Sequence, residues 1–359
     1  MRYMEPTSQE IRMRKDLIRR FTKLIASFNV NTSIRPVGSY VTGLYLPTSD
    51  IDMVITFPNQ TASGTLFGGR LYTLIDKIRN SGFASKVEDV LRASVPLIRI
   101  TDRITGIQID LTASDTHAFK ATEAVQEWLQ HSSSPAKPLL FVVKMFLSIR
   151  RCGTTYTGGI NSYALFWMVV AWVKLEMPKE KNPVKSSFSD YDSLTTALGG
   201  LSMSRARENA AASTSLSLSS SSSSSKSDGV DLGMLLMKFL KFYGEEFDYE
   251  WTSIEIAPTP GYGAKTYGYS RYSITQRYML SIYDPANTSI DMGSKAYGIK
   301  HIQASFISAY KSLVDLESKR KSGRRVGEAG ILGNVLGGDY TKFVEKRRLA
   351  VARIPSIVH

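Results

Sequence analysis

The chain has 359 residues, 43% hydrophobic and 10% aromatic, which excludes a disordered polypeptide and leaves room for two domains with cores of their own. Its 45 Lys and Arg against 32 Asp and Glu leave a net charge of +13, which fits either a polyanionic partner such as nucleic acid or a generically basic surface. Cys152 is the one cysteine and His117, His131, His301 and His359 are scattered, so an intramolecular disulfide and a Cys-rich zinc site are excluded.

The elements follow from periodicity. The opening MRYMEPTSQEIRMRKDLIRR lacks the apolar core of a signal peptide, and Tyr163 to Val173, the longest apolar stretch, is too short for a bilayer; a soluble intracellular chain is expected. Thr7 or Ser8 followed by Glu10 is a helix start, and Ile11, Leu17, Ile18, Phe21, Leu24 and Ile25 recur at helical spacing to about Phe28. Short β-like runs fill Ser33 to Phe57. A Gly-rich loop (Gly64, Gly68, Gly69) then leads into a helix over Leu71 to Ser81. Strands are predicted at Ala84 to Val90, Val95 to Thr101 and Gly106 to Leu111.

Strands grouped before residue 115 predict an α+β unit with a mixed sheet. After Ser132-Ser133-Ser134-Pro135 the chain turns helical, with candidates at Leu139 to Arg151, Ser162 to Leu175, Leu232 to Tyr243, Gly298 to Lys319 and about Tyr340 to Ala352. Two domains are expected, 1–132 and 133–359, with the first helix able to pack on the second. A serine-rich insertion at about 202–228, including the low-complexity run Ser213 to Ser227, has almost nothing to bury and is expected to be disordered. From Lys295 to His359 there are 13 Lys and Arg against 5 Asp and Glu, a basic region that reads as a nucleic-acid track, a solvated helix face or an import signal.

The chemistry concentrates in VGSYVTGLYLPTSDIDMVI, Val37 to Ile55. If Ile51, Met53 and Ile55 of a strand face a core, Asp50 and Asp52 face a cleft together. Two carboxylates there repel unless a cation lies between them, so the spacing favours a divalent-metal site, with an Asx-rich turn at Pro47-Thr48-Ser49-Asp50 as the plainer alternative. Gly38-Ser39 can offer a close-approaching N–H and a hydroxyl to phosphate. Asp110, in GIQID, is either a strand-end cap or the third member of a two-metal cluster.

These residues carry a family resemblance. GSYVTGLYLPTSDID followed by QID resembles the signature of the DNA polymerase β-like nucleotidyltransferases. Downstream, KMFLSIRR, TGGINSYALFWMVVAW, DLGMLLMKFLKFYG and SIYDPANTSIDMGSKAYGIKHIQASFISAY are similar to the helical domain of the Trf-type poly(A) polymerases, the catalytic subunits of TRAMP-type RNA-surveillance complexes.

The resemblance implies a nucleotidyltransferase domain joined to a helical central, PAP-associated domain, with the active site in the cleft between them. It implies template-independent transfer of AMP from ATP to RNA 3′ ends, with Asp50, Asp52 and Asp110 holding two Mg²⁺ ions, or Mn²⁺ in their place. By the same resemblance Gly38, Ser39, Lys144 and Ser148 bind the triphosphate, and Ala118 with Ala121-Thr122 lies on the ribose side. Ser162 caps its helix and touches phosphate, Tyr163 stacks on the base, and Asp284 and Asn287 reach the nucleotide. Ile290 and Ser294 stand where relatives commonly carry Asn or His and an Arg, so the preference for ATP over UTP rests on the family alone. A terminal uridylyltransferase, or an inactive scaffold binding RNA or a helicase, are the alternatives. No RNA-recognition motif or zinc knuckle is present in the sequence. A zinc-knuckle RNA-binding protein and an RNA helicase are therefore expected partners by resemblance, in the nucleus or nucleolus, with no membrane.

Overall fold

The structure is a computed structural model that describes residues 4–28, 31–57, 65–93, 95–113, 116–131, 135–177, 231–265, 276–323 and 341–352. The serine-rich insertion, Gly64 and Arg324-Arg325 lie outside the described residues.

Helix α1, Ser8–Ser27, starts where a capping box starts it: the Thr7 hydroxyl accepts from the Glu10 N–H, and the Glu10 carboxylate accepts from the Thr7 N–H. Five strands follow: β1 Ser33–Pro36, β2 Ile51–Thr56, β3 Ala84–Val90, β4 Leu97–Asp102 and β5 Gln108–Ala113. They form one sheet in the order β1-β2-β5-β4-β3. Only β2 and β5 run parallel, so the sheet is mixed, as expected. Helix α2, Gly38–Thr42, interrupts the stretch expected to be all β-like. Helix α3, Thr65–Asn80, begins earlier than expected and takes in Gly68 and Gly69; burial of Leu71, Leu74, Ile75 and Ile78 outweighs the low helix propensity of two glycines.

Alternation along the strands decides the rest. Ile51, Met53, Ile55, Ile98, Ile100, Ile109 and Leu111 share one face and pack with Leu17, Phe21 and Ile25 of α1 and the apolar side of α3 in one buried core. Helix α1 therefore belongs to the sheet's core. The same alternation leaves Asp52, Asp110 and Arg99 on the opposite face, the one free for a site.

Helix α4, Thr116–Gln130, follows the sheet, and then α5 Ala136–Ile149, α6 Ser162–Leu175, α7 Leu232–Lys241 and α8 Ile299–Lys321. Residues Ala164 to Val173 of α6 are all buried, the mark of a helix enclosed on every side. Phe146 stacks on Phe306 at 5.8 Å, and Trp172 meets Phe239 edge-on at 5.7 Å, tying α5, α6, α7 and α8 into a helical second half. Two short hairpins not anticipated from sequence, β6 Thr252–Glu255 with β7 Gly261–Ala264 and β8 Tyr283–Asp284 with β9 Asn287–Asp291, complete it. Helix α9, Thr341–Ala352, returns to α1, where Arg347 forms an ion pair with buried Glu10 at 2.7 Å. No helix among the described residues is long and apolar enough to cross a membrane.

The turn between β4 and β5 is locked to α1. Fully buried Asp102 accepts both arms of the Arg20 guanidinium, at 3.0 and 3.1 Å, and also the N–H and hydroxyl of Thr105. Removing the carboxylate leaves four donors without their acceptor. Asp102→Ala is expected to destabilise the fold by about 3 kcal/mol in urea unfolding.

Candidate active site

The site is built on the polar face of the sheet. Asp52 on β2 and Asp110 on β5 are direct partners in the parallel register, so their carboxylates leave the sheet side by side. On its other side Asp110 is paired across the antiparallel register with Arg99 of β4. Arg99 donates from Nε to Oδ1 at 2.9 Å and from Nη2 to Oδ2 at 2.7 Å, a two-pronged ion pair. Asp50 precedes β2 by one residue and adds a third negative charge.

The electrostatics show the crowding. Burial, and then the charges of Asp50 and Asp110, push the Asp52 carboxyl up from 3.8 to about 7. Burial likewise raises Asp110 against the pull of Arg99. Lys144 reaches in from α5, donating to the Leu44 carbonyl at 3.0 Å. Burial lowers its pKa from 10.5 to about 8 while Asp50 and Asp52 pull the other way. Lys144 is thus a counter-cation of the carboxylates, a role its place on a helix did not reveal. Ser148, one turn further along α5, is exposed.

Gly38 and Asp52 fit each other. Gly38 has φ +65°, and a Cβ there would stand 3.0 Å from an Asp52 carboxylate oxygen, so only glycine brings α2 this close without strain. Its N–H, expected to face phosphate, is donated instead to the Thr122 hydroxyl at 2.9 Å, which in turn donates to the Ala118 carbonyl at 2.7 Å. Ser39 sits beside it, half-buried, in the first turn of α2.

The loop carrying Asp50 is gripped from two sides. Arg14, fully buried in α1, donates to the Pro47 carbonyl at 2.9 Å and the Ser49 carbonyl at 2.5 Å. Lys346 of α9 donates to the Thr48 carbonyl at 3.1 Å. Three successive carbonyls before Asp50 therefore rest on cationic side chains, an arrangement that no local motif announces.

A second cluster lies where α4, α6 and β8 meet. Asp284 is buried and accepts from the Tyr163 hydroxyl at 2.8 Å, its own loop's Ala286 N–H at 2.8 Å and His117 Nε2 at 2.6 Å. The sequence shows His117 only as one of four scattered histidines, and its neighbour Ala118 is the one signal that points to this place. Burial and the adjacent carboxylate raise the Tyr163 pKa, so its hydroxyl stays a donor. Asn161, not Ser162, caps α6, its side chain accepting from the Ala164 N–H at 2.7 Å; Ser162 is the first helical residue. Asn287 and Ile290 stand exposed on β9, Ile290 at 37%. Ser294 donates to the Asp291 carbonyl.

The donor chemistry fits a divalent cation in part. Among the described residues, no ready-made group of three or more His, Cys, Asp or Glu surrounds one point. Asp50 and Asp52, hard oxygen ligands that no ion pair closes among the described residues, fit such an ion; Asp110 is turned to Arg99.

Comparison with known proteins places this geometry. Residues 1–130 match the model described as the central palm domain of mitochondrial-like poly(A) RNA polymerase, and residues 231–289 match that of the Cid1 family poly A polymerase. Both matches are to domains of poly(A) polymerases. The chain is similar to poly(A) RNA polymerase cid14 of Schizosaccharomyces pombe, 27% identical over 87% of this chain and 39% of that protein. It is also similar to poly(A) RNA polymerase protein 2 of Saccharomyces cerevisiae, 25% identical over 97% of this chain and 53% of that protein. The chain spans about half the length, or less, of these curated relatives. A Drosophila melanogaster relative described as inactive is 26% identical over 89% of this chain and 68% of that protein. The fold matches the solved polymerase core of TRAMP, an RNA surveillance complex, with TM-score 0.67 at 23% identity over 93% of this chain and 90% of that chain.

The raised Asp52 pKa has a signed consequence. Between the ordinary carboxylate value of 3.8 and about 7, the folded protein holds a proton that the unfolded chain has released, so stability falls as pH rises through that window. Lys144, lowered only to about 8, is charged in both states across most of it. In chelator, the melting temperature is expected to be lower at pH 7.5 than at pH 5. Asp52→Asn should reduce that dependence, which differential scanning fluorimetry across pH will read.

Proposed function

We propose that the chain adds AMP from ATP to RNA 3′ ends without a template, using divalent cations held by Asp50, Asp52 and Asp110. The observation that carries this reading is the register pairing of Asp52 with Asp110 beside Asp50, with Gly38 packed against Asp52. Mg²⁺, when bound, would lower the pKa of the attacking hydroxyl and neutralise charge on the leaving pyrophosphate.

The chain's own residues do the positioning. Asp110 accepts the proton of the primer 3′-OH as the oxygen attacks the α-phosphorus. Lys144, already drawn to the acidic pair, meets the triphosphate as a cation, and Ser39, Ser148 and Ser162 supply hydroxyls to its oxygens. Tyr163, with its hydroxyl anchored on Asp284, presents a fixed ring for a base to stack on. Asp284 is spoken for by three donors, so reading of the base falls mainly to the exposed Asn287. Ala118 and the first turn of α4 lie on the ribose side. The retained carboxylates and Lys144 favour an active enzyme over a scaffold, because a repulsive acidic cluster has no use without a cation.

We extend this reading to RNA surveillance, which the likeness in fold to the polymerase core of TRAMP, an RNA surveillance complex, supports; a nuclear location follows from the resemblance alone. We place a zinc-knuckle RNA-binding protein and an RNA helicase as partners, as the resemblance implies; the likeness in fold to the polymerase core of an RNA surveillance complex supports a complex of this kind. The two domains of this reading are 1–132 and 133–359, with the cleft between them as the active site.

An RNA primer incubated with the chain, Mg²⁺ and each of the four nucleotides in turn, with and without such a partner, should be extended with ATP most efficiently. Asp110→Ala should lower the rate by about 10²-fold or more. Clear preference for UTP would replace adenylyl with uridylyl transfer, and robust extension by the Asp50→Ala/Asp52→Ala double variant would sink the mechanism.

A further inference from the structure

We propose that Arg99 is a resident counter-cation for the third carboxylate, holding Asp110 until a divalent cation arrives and competing with that cation for it. The inference rests on the metal-site reading above and concerns a side chain that this reading does not use.

Geometry carries it. Arg99 and Asp110 face each other across the β4–β5 register and project to the same side of the sheet as Asp52. The guanidinium fork engages both carboxylate oxygens, at 2.9 and 2.7 Å, and so covers the edge through which a carboxylate best meets a metal. Asp50 and Asp52 are different: among the described residues, neither carboxylate forms an ion pair with a cationic side chain. The acidic cluster is therefore divided into two oxygen sets open to a cation and one already closed by a built-in cation.

The pair is also placed to open. The Arg99 side chain is 36% exposed while that of Asp110 is 9% exposed, so the guanidinium lies on the solvent side and can withdraw into water without unpacking the sheet. Asp110 has no such freedom, because its neighbours Ile109 and Leu111 are fully buried in the core. Movement on metal binding thus belongs to Arg99. Its withdrawal costs the ion pair, and that cost sets how tightly the third carboxylate can take up a metal. An arginine that served only to join two strands would stabilise the sheet equally with or without metal.

The two roles separate in a binding measurement on the full chain without nucleotide, using Mn²⁺ as the probe in isothermal titration calorimetry and thermal unfolding. Arg99→Met should bind Mn²⁺ about three- to tenfold more tightly than the parent chain. It should melt lower than the parent in chelator and recover more of its melting temperature when Mn²⁺ is added. Arg99→Lys, which keeps the charge but loses the fork, should fall between the two, and it decides the matter should Arg99→Met not fold. Unchanged or weaker Mn²⁺ affinity in the folded variant overturns the proposal. Asp52→Ala is the control: if it leaves Mn²⁺ affinity unaltered, the metal-site reading itself has failed. If it abolishes binding while the Arg99 variants bind like the parent, only the role of Arg99 has failed.

Discussion

Everything at the cleft depends on a repulsion that the fold creates and then manages. Pairing β2 with β5 in parallel register sets Asp52 directly beside Asp110, with Asp50 one step away. The apolar face of the same strands cannot relax this, because Ile51, Met53, Ile109 and Leu111 are buried in the core and a slip of one residue would exchange the two faces. The burial of the sheet therefore holds the carboxylates together against their mutual charge. Nearby cations share the load: Arg99 takes Asp110, and Lys144 arrives from helix α5.

The use of lysine and arginine around the site follows from their chemistry. Arg14 spends its guanidinium on two backbone carbonyls of the loop before Asp50, deep enough that burial lowers its pKa while Tyr45, Asp50 and Glu10 oppose the shift. Glu10, which caps α1, is the same residue that pairs with Arg347 of α9. The ends of the described chain thus meet behind the loop that carries Asp50, α1 holding it from one side and Lys346 of α9 from another. A planar, permanently charged fork suits such carbonyl clamps, and a compact ammonium on a flexible stem suits Lys144 at the open side.

Asp284 plays the corresponding part in the second cluster. It joins His117 of α4 to Tyr163 of α6, so the sheet half and the helical half share one buried carboxylate. The first turn of α4 then connects that cluster to the carboxylates, since Ala118 accepts from Thr122 and Thr122 accepts from Gly38. The path runs through these hydrogen bonds and the one peptide link from His117 to Ala118, from the ring expected to stack on a base to the glycine packed on Asp52. The Gly38 N–H is thereby engaged in the scaffold.

Much of this was legible along the chain. Period-two alternation in IDMVI was enough to put Asp50 and Asp52 opposite the core, the capping box marked the start of α1, and the apolar run fixed α6 at Ser162–Leu175. The order of motifs carried the resemblance to poly(A) polymerases, and with it the expectation for the three carboxylates. Tertiary structure alone decided who their partners are: Arg99 for Asp110, Leu44 and the acidic pair for Lys144, Thr122 for Gly38, and His117 for Asp284. The reason is physical. Periodicity and caps are set by neighbours within a few residues, so sequence encodes which face a side chain takes; a partner 11, 84 or 167 residues away is set by sheet register and domain packing, which no local pattern contains.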